Sequence, residues 1–202
     1  MKIQTNLYVN RKYITSQRRA LSPHQRQNYA QQASLHLHKL QHILPNSAKV
    51  GIYYHGFGEQ PTQPILNWCW RMGFTPFLPV VGSLGQHNKQ LRFSPVNRKK
   101  LHTLPTYKHR LGMKQHRHSV TYWAEQLDAI FCPLVAVDKK GTRLGMGGGF
   151  YDVTLAKTHR FNLKTPLKIA WCYDFQVMEE LNRQPWDVPM DMALTPNRLI
   201  RF

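Results

Sequence analysis

Acidic residues are the scarce charge in this 202-residue chain: ten Asp and Glu stand against 28 Lys and Arg, for a formal net charge of +18. The shortage is concentrated. From Met1 to Glu125 only Glu59 and Glu125 are acidic, against eighteen Lys and Arg, and the other eight carboxylates fall in the last 75 positions. Such a balance favours anionic partners, either a nucleic acid or a polyanionic small molecule, with a solvated basic face as the plain alternative. Cysteine is scarce too. Cys69, Cys132 and Cys172 are far apart and form no CxxC pair, which excludes a zinc ribbon or a disulfide framework and predicts buried free thiols. No run approaches the roughly 18 consecutive apolar residues of a membrane-spanning helix. The N-terminal MKIQTNLYVNRKYITSQRR lacks the apolar stretch of a signal peptide, so a cytoplasmic protein with no membrane partner is expected. Nucleic acid is the disfavoured anion: RKYITSQRR and NRKKLHTLPTYKHRLGMKQHRH are basic, but no RNP-type aromatic strand, GXXG clamp or zinc finger accompanies them.

With 42% hydrophobic and 11% aromatic residues, the chain can bury one good-sized core, and one domain over residues 1–202 is expected. Ser22-Pro23 marks a helix start, and Tyr29, Ala33, Leu37, Leu40 and Leu44 form a single stripe ended by Pro45-Asn46, which predicts one helix across them. KVGIYY (49–54), TPFLPVV (75–81), LRFSPV (91–96), LDAIFCPLVAVD (127–138), LKIAWCYD (167–174) and MALT (192–195) read as strands. Helices are expected over about 62–72 and from Phe150 or Tyr151 onward. Strands alternating with helices predict an α/β fold, three layers α/β/α around a mostly parallel sheet. The basic stretch 97–119 has no clear period and is read as a mobile or ligand-covering loop. Five histidines from His87 to His118 are irregularly spaced among cations, which disfavours a metal site there.

The densest chemical signal is RLGMGGGFYD, Arg143 to Asp152. Glycines at 145, 147, 148 and 149 let successive backbone N–H groups converge, and the helix that follows adds its own unpaired N–H groups, so the stretch reads as a phosphate cradle. It fits neither the GxxxxGK[ST] loop nor GxGxxG. A tight glycine turn without a ligand is the alternative. Arg143 supplies positive charge. Asp152 has the wrong sign beside phosphates unless Mg²⁺ bridges them, since that ion takes one or two carboxylates and completes its shell with water and phosphate oxygens. A carboxylate placed to favour the helix dipole is its competing role.

PLVAVDKKGTRLGMGGGFYD resembles the signature of the 5-formyltetrahydrofolate cyclo-ligase family, and RRALS, the GE..T.P loop, FLPVV, LRF, YDFQV and WDVPMD agree in order and spacing. The resemblance implies ATP- and Mg²⁺-dependent conversion of 5-formyltetrahydrofolate to 5,10-methenyltetrahydrofolate, with release of ADP and phosphate. Phosphorylation of the formyl oxygen gives an iminophosphate that N10 attacks, so the protein mainly positions reactants and neutralises charge. By the same resemblance Arg11 contacts the nucleotide, and Arg143, Leu144, Gly145, Met146, Gly147, Gly148, Gly149, Phe150 and Tyr151 form its loop, with Arg143 and Tyr151 catalytic. Asp152 and Asp187 hold the metal, and Glu59 contacts the folate, a loop-capping role being its alternative. The family's N-terminal lysine is replaced by Leu7, with Lys12 or Lys2 as substitutes, and Pro61 stands where a second acid is common. The basic stretch from Arg98 to Arg117 is expected to attract a γ-linked glutamate tail on the substrate. A non-catalytic RNA- or phosphate-binding protein on this scaffold, or an ATP-using enzyme with another acceptor, are the competing readings.

Overall fold

Helix α1 (Arg11–Ala20) buries Ile14, Thr15 and Arg18 on one face, an amphipathic stripe whose last member is an arginine. The computed structural model describes residues 11–81, 89–98, 101, 106–108, 114–116 and 120–202; Lys2, Leu7, His87 and most of the stretch 97–119 lie outside them. Ser22 caps α2 (Pro23–Ser34): its hydroxyl accepts from the Gln25 amide at 3.1 Å, and Gln25 Oε1 accepts from the Ser22 amide at 2.8 Å. This reciprocal pair satisfies two amides that the helix cannot. The single long helix expected here is shorter. After Ser34 the chain tightens into a 3₁₀ turn over Leu37–Leu40, where spacing of three residues turns both Leu37 and Leu40 inward.

The strands are β1 (Lys49–Gly51), β2 (Thr75–Val80), β3 (Arg92–Pro95), β4 (Thr106–Lys108), β5 (Lys114–His116), β6 (Ala129–Cys132), β7 (Ala136–Asp138), β8 (Arg143–Leu144), β9 (Leu167–Trp171), β10 (Val177–Met178), β11 (Met192–Leu194) and β12 (Leu199–Arg201). Helix α3 (Gln63–Arg71) follows β1, and α4 (Phe150–Arg160) follows β8. Seven strands form the central sheet in the order β12-β11-β9-β6-β1-β2-β3. The five inner strands are parallel, and β12 and β3 close the edges antiparallel. Alternate residues of the sheet enter two cores. Ala129, Phe131, Ile169, Trp171 and Leu194 pack with α2 and α3, while Ile130, Cys132, Ala170 and Ala193 pack with Leu155 of α4. Burial on both faces is the reason these strands read as continuous apolar runs, and the three-layer α/β/α arrangement is the one expected. All three cysteines are buried and free, and burial pushes the Cys132 thiol up to about 12.

Two expected strands are cut short. KVGIYY pairs only through Gly51, and LDAIFCPLVAVD breaks at Pro133 into β6 and β7, because proline offers no ladder N–H. Beyond the break the chain leaves the main sheet for a small one, β10-β7-β8. The stretch expected to be a loop also carries a pair, β4 antiparallel to β5. From β1 the chain runs to β2 and β3 on one side, then returns to β6 on the other side of β1. The order therefore reverses between β1 and β6, the place where open α/β sheets bind ligands beyond the strands' carboxyl ends. Among the described residues no helix is long and apolar enough to cross a membrane.

Candidate active site

Two loops border this switch point. The one after β1 turns tightly over Gly56–Glu59: the Glu59 amide donates to Gly56 O at 2.8 Å, and the Gly56 amide donates back to Glu59 Oε2 at 3.0 Å. Glu59 thus does cap its own loop. Its other oxygen lies 3.8 Å from the Arg18 guanidinium, with the two side chains 9% and 0% exposed. Burial raises the Glu59 carboxyl to about 7, against the opposing pull of the Gly56 amide and Arg18. Gly58 lies against the backbone of α1 with φ +78°, and a Cβ there would stand 2.7 Å from the Arg18 carbonyl carbon and oxygen. Only glycine meets both conditions.

The loop after β6 is held by a hairpin. Buried Asp138 accepts from the Lys140 and Thr142 amides at 2.8 Å and from the Leu181 amide at 3.0 Å, which fixes β7 against β8 and delivers Arg143. Arg143 Nη2 meets Asp152 Oδ2 at 2.6 Å, with side chains 4% and 17% exposed, and Nη1 donates to Pro133 O at 3.2 Å. The guanidinium also lies 5.8 Å from the Tyr151 ring centre. Its charge is therefore directed to Asp152 beneath the loop, and Asp152 has a resident cation there. Asp152 Oδ1 is buried without a hydrogen-bond partner. Above the pair, Gly147 and Gly149 take φ +95° and +71°, and Gly149 caps α4. Tyr151 packs against both cores, and burial raises its hydroxyl well above the ordinary tyrosine range, with Cys132 and Glu59 adding to the effect.

The expected residues fall into two groups. Arg143 to Asp152 form one continuous site at the start of α4, with Glu59 across the switch point from it. Arg11 is exposed at the first position of α1. Asp187 sits in a separate turn, where its Oδ2 accepts from the Gln184 amide at 2.8 Å. Two residues not expected from the sequence also lie beside these loops. Arg18 is one, and the sequence signal for it is its spacing of four residues from Ile14, which puts both on one face of an otherwise basic helix. The other is Lys89, whose Nζ lies 4.0 Å from where a Gly149 Cβ would stand; the Leu91 amide donates to Thr154 Oγ1 at 2.8 Å and ties that segment to α4. A hollow of about 480 Å³ between α2 and α3, lined by Gln27, Gln31, Asn67, Trp70 and Arg71 among others, contains none of these residues.

The profile of the 5-formyltetrahydrofolate cyclo-ligase family matches residues 5–196. This chain belongs to that family. Among its members, a 5-formyltetrahydrofolate cyclo-ligase of Escherichia coli is 30% identical over 187 residues, covering 92% of this chain and 98% of the relative. One from Haemophilus influenzae is 32% identical over 173 residues, 85% of this chain and 86% of its own. The solution structure of Aquifex aeolicus 5,10-methenyltetrahydrofolate synthetase superposes with a TM-score of 0.72 at 25% identity, covering 95% of this chain and 90% of that one. The protein is thus an enzyme of a ligase family, on the fold of its relatives.

Proposed function

We propose that the protein closes 5-formyltetrahydrofolate to 5,10-methenyltetrahydrofolate at the β1/β6 switch point, with MgATP as the phosphoryl source. The observation that carries this reading is the glycine loop capping α4 beside the Arg143–Asp152 pair, whose arginine is buried and whose carboxylate is partly exposed. Converging amides and a helix N-terminus receive phosphate oxygens, and Lys89 adds a cation at the loop's edge. When bound, MgATP supplies the phosphoryl group that turns the formyl oxygen into a leaving group. Asp152 fits the metal, because Oδ2 is held by Arg143 while Oδ1 lacks a partner, and Mg²⁺ needs only one or two carboxylates. Asp187 is the second proposed ligand. Arg143 orients Asp152 and balances charge at the loop, Arg11 contacts the nucleotide, and Tyr151, kept a neutral phenol by burial, is a hydrogen-bond donor rather than a base. Glu59 offers its carboxylate to the folate. The basic stretch from Arg98 to Arg117 attracts a γ-linked glutamate tail, an interaction that salt weakens.

Purified protein mixed with MgATP and 5-formyltetrahydrofolate should produce the absorbance of the methenyl product. No product at high enzyme concentration would reject the reading. Equal KM for mono- and polyglutamylated substrate at both low and moderate salt would reject the role given to the basic residues.

A further inference from the structure

Arg18 takes no part in the chemistry above, yet its side chain is fully buried. A guanidinium stays charged at any pH at which the chain folds, so its desolvation must be offset by acceptors. Those acceptors come from the segments that flank the switch point. Nη1 donates to Leu134 O at 2.8 Å just after β6, and Nη2 donates to Phe57 O at 3.3 Å in the loop after β1. Glu59 Oε1 is 3.8 Å from Nη1, and Met146 Sδ of the glycine loop is 3.9 Å from Nη2. The β1 loop is also locked from behind, since Gly58 rests on the Arg18 backbone and its carbonyl accepts from the Tyr173 hydroxyl at 3.2 Å. The groups facing Glu59 are Arg18 from α1, the Gly56 amide of its own loop, Tyr53 after β1, Tyr151 on α4 and Tyr173 after β9. Arg18 is the one cation in this set.

We propose that Arg18 is a positioning residue: it pins the Glu59 loop to the segment after β6 and favours the anionic form of the Glu59 carboxyl, the form that accepts from a substrate N–H. This rests on the reading of Glu59 as a folate contact and adds what governs that contact. The bonds to Leu134 O and Phe57 O fix where the charge sits, and the charge acts on Glu59 through a medium with little water to screen it.

The test follows Glu59 directly, by carbon-13 NMR of the full chain labelled at glutamate carboxyls. With only Glu59, Glu125, Glu179 and Glu180 present, Glu59→Gln identifies the resonance. Arg18→Gln removes the charge and keeps a donor for Leu134 O; Arg18→Met provides the same comparison where the amide disturbs packing. In either variant the Glu59 midpoint should move up by about one pH unit, and Arg18→Lys should return it toward wild type. At pH 7 that shift lowers the anionic fraction from about one half to about one tenth, so KM for 5-formyltetrahydrofolate should rise about fivefold with kcat little changed. An unmoved midpoint in a folded neutral variant overturns the proposal. A moved midpoint with an unchanged KM leaves the hold of Arg18 on the carboxylate standing and removes Glu59 from the substrate site.

Discussion

An arginine stands beside a carboxylate on each side of the switch point, Arg18 of α1 by Glu59 and Arg143 of β8 by Asp152, and the two pairs are built differently. Arg143 touches Asp152 at 2.6 Å, and Asp152 keeps 17% exposure. Arg18 stops 3.8 Å from Glu59, a carboxylate only 9% exposed. Between those distances the Coulomb attraction falls by roughly a third. The guanidinium of Arg18 is also shared with two carbonyls, so desolvation prevails at Glu59 and its carboxyl rises to about 7. Proximity and burial, not residue type, decide what each pair can do. One is a short charge-assisted contact suited to holding geometry, and the other is a carboxyl poised to change charge near neutrality.

Asp152 carries the largest expected effect. Asp152→Asn keeps the shape but removes the charge facing Arg143, and turnover should fall on the order of 100-fold with the circular dichroism spectrum retained; wild-type turnover would remove Asp152 from the metal. On the other side, Gly58→Ala forces a side chain into a left-handed conformation against the α1 backbone. It should cost about 2–4 kcal/mol, read as a fall in melting temperature of roughly 5–15 °C by calorimetry. Next comes pH. Below about 7 Glu59 gains a proton and stops being an anionic acceptor, so KM for the folate should be about tenfold higher at pH 6 than at pH 8, with a flat profile in Glu59→Gln. A sloping profile in that variant would assign the titration elsewhere. The smallest effect is expected at Lys89, which is exposed: Lys89→Met should raise KM for ATP about threefold at low salt and less at 0.5 M.

Much of the site was legible because its signals are local. Glycines at 145, 147, 148 and 149 mark a loop, a helix start at Phe150 two residues before Asp152 makes that residue a first-turn carboxylate, and alternating strands and helices mark a mostly parallel sheet. The breaks were harder to read. LDAIFCPLVAVD looks like one strand until Pro133 is placed where the chain leaves the sheet, and the stripe through Leu44 looks like one helix although 3₁₀ geometry buries the same leucines. Asp138 reads as one more charge in a basic turn, but it is buried and accepts three amide bonds.

By itself the sequence determined the fold class, the glycine loop and the short-range order of Arg143, Tyr151 and Asp152, because backbone conformation and helix capping depend on neighbours a few positions apart. Only the tertiary structure decided that Arg143 faces Asp152 and that Arg18, 116 residues from the Leu134 carbonyl it serves, becomes the cation beside Glu59. The first pairing needs the turn from β8 into α4 to close, and the second exists only once the segments after β1 and β6 are both packed against α1. Burial then sets the strength of each charge, and no spacing along the chain carries that information.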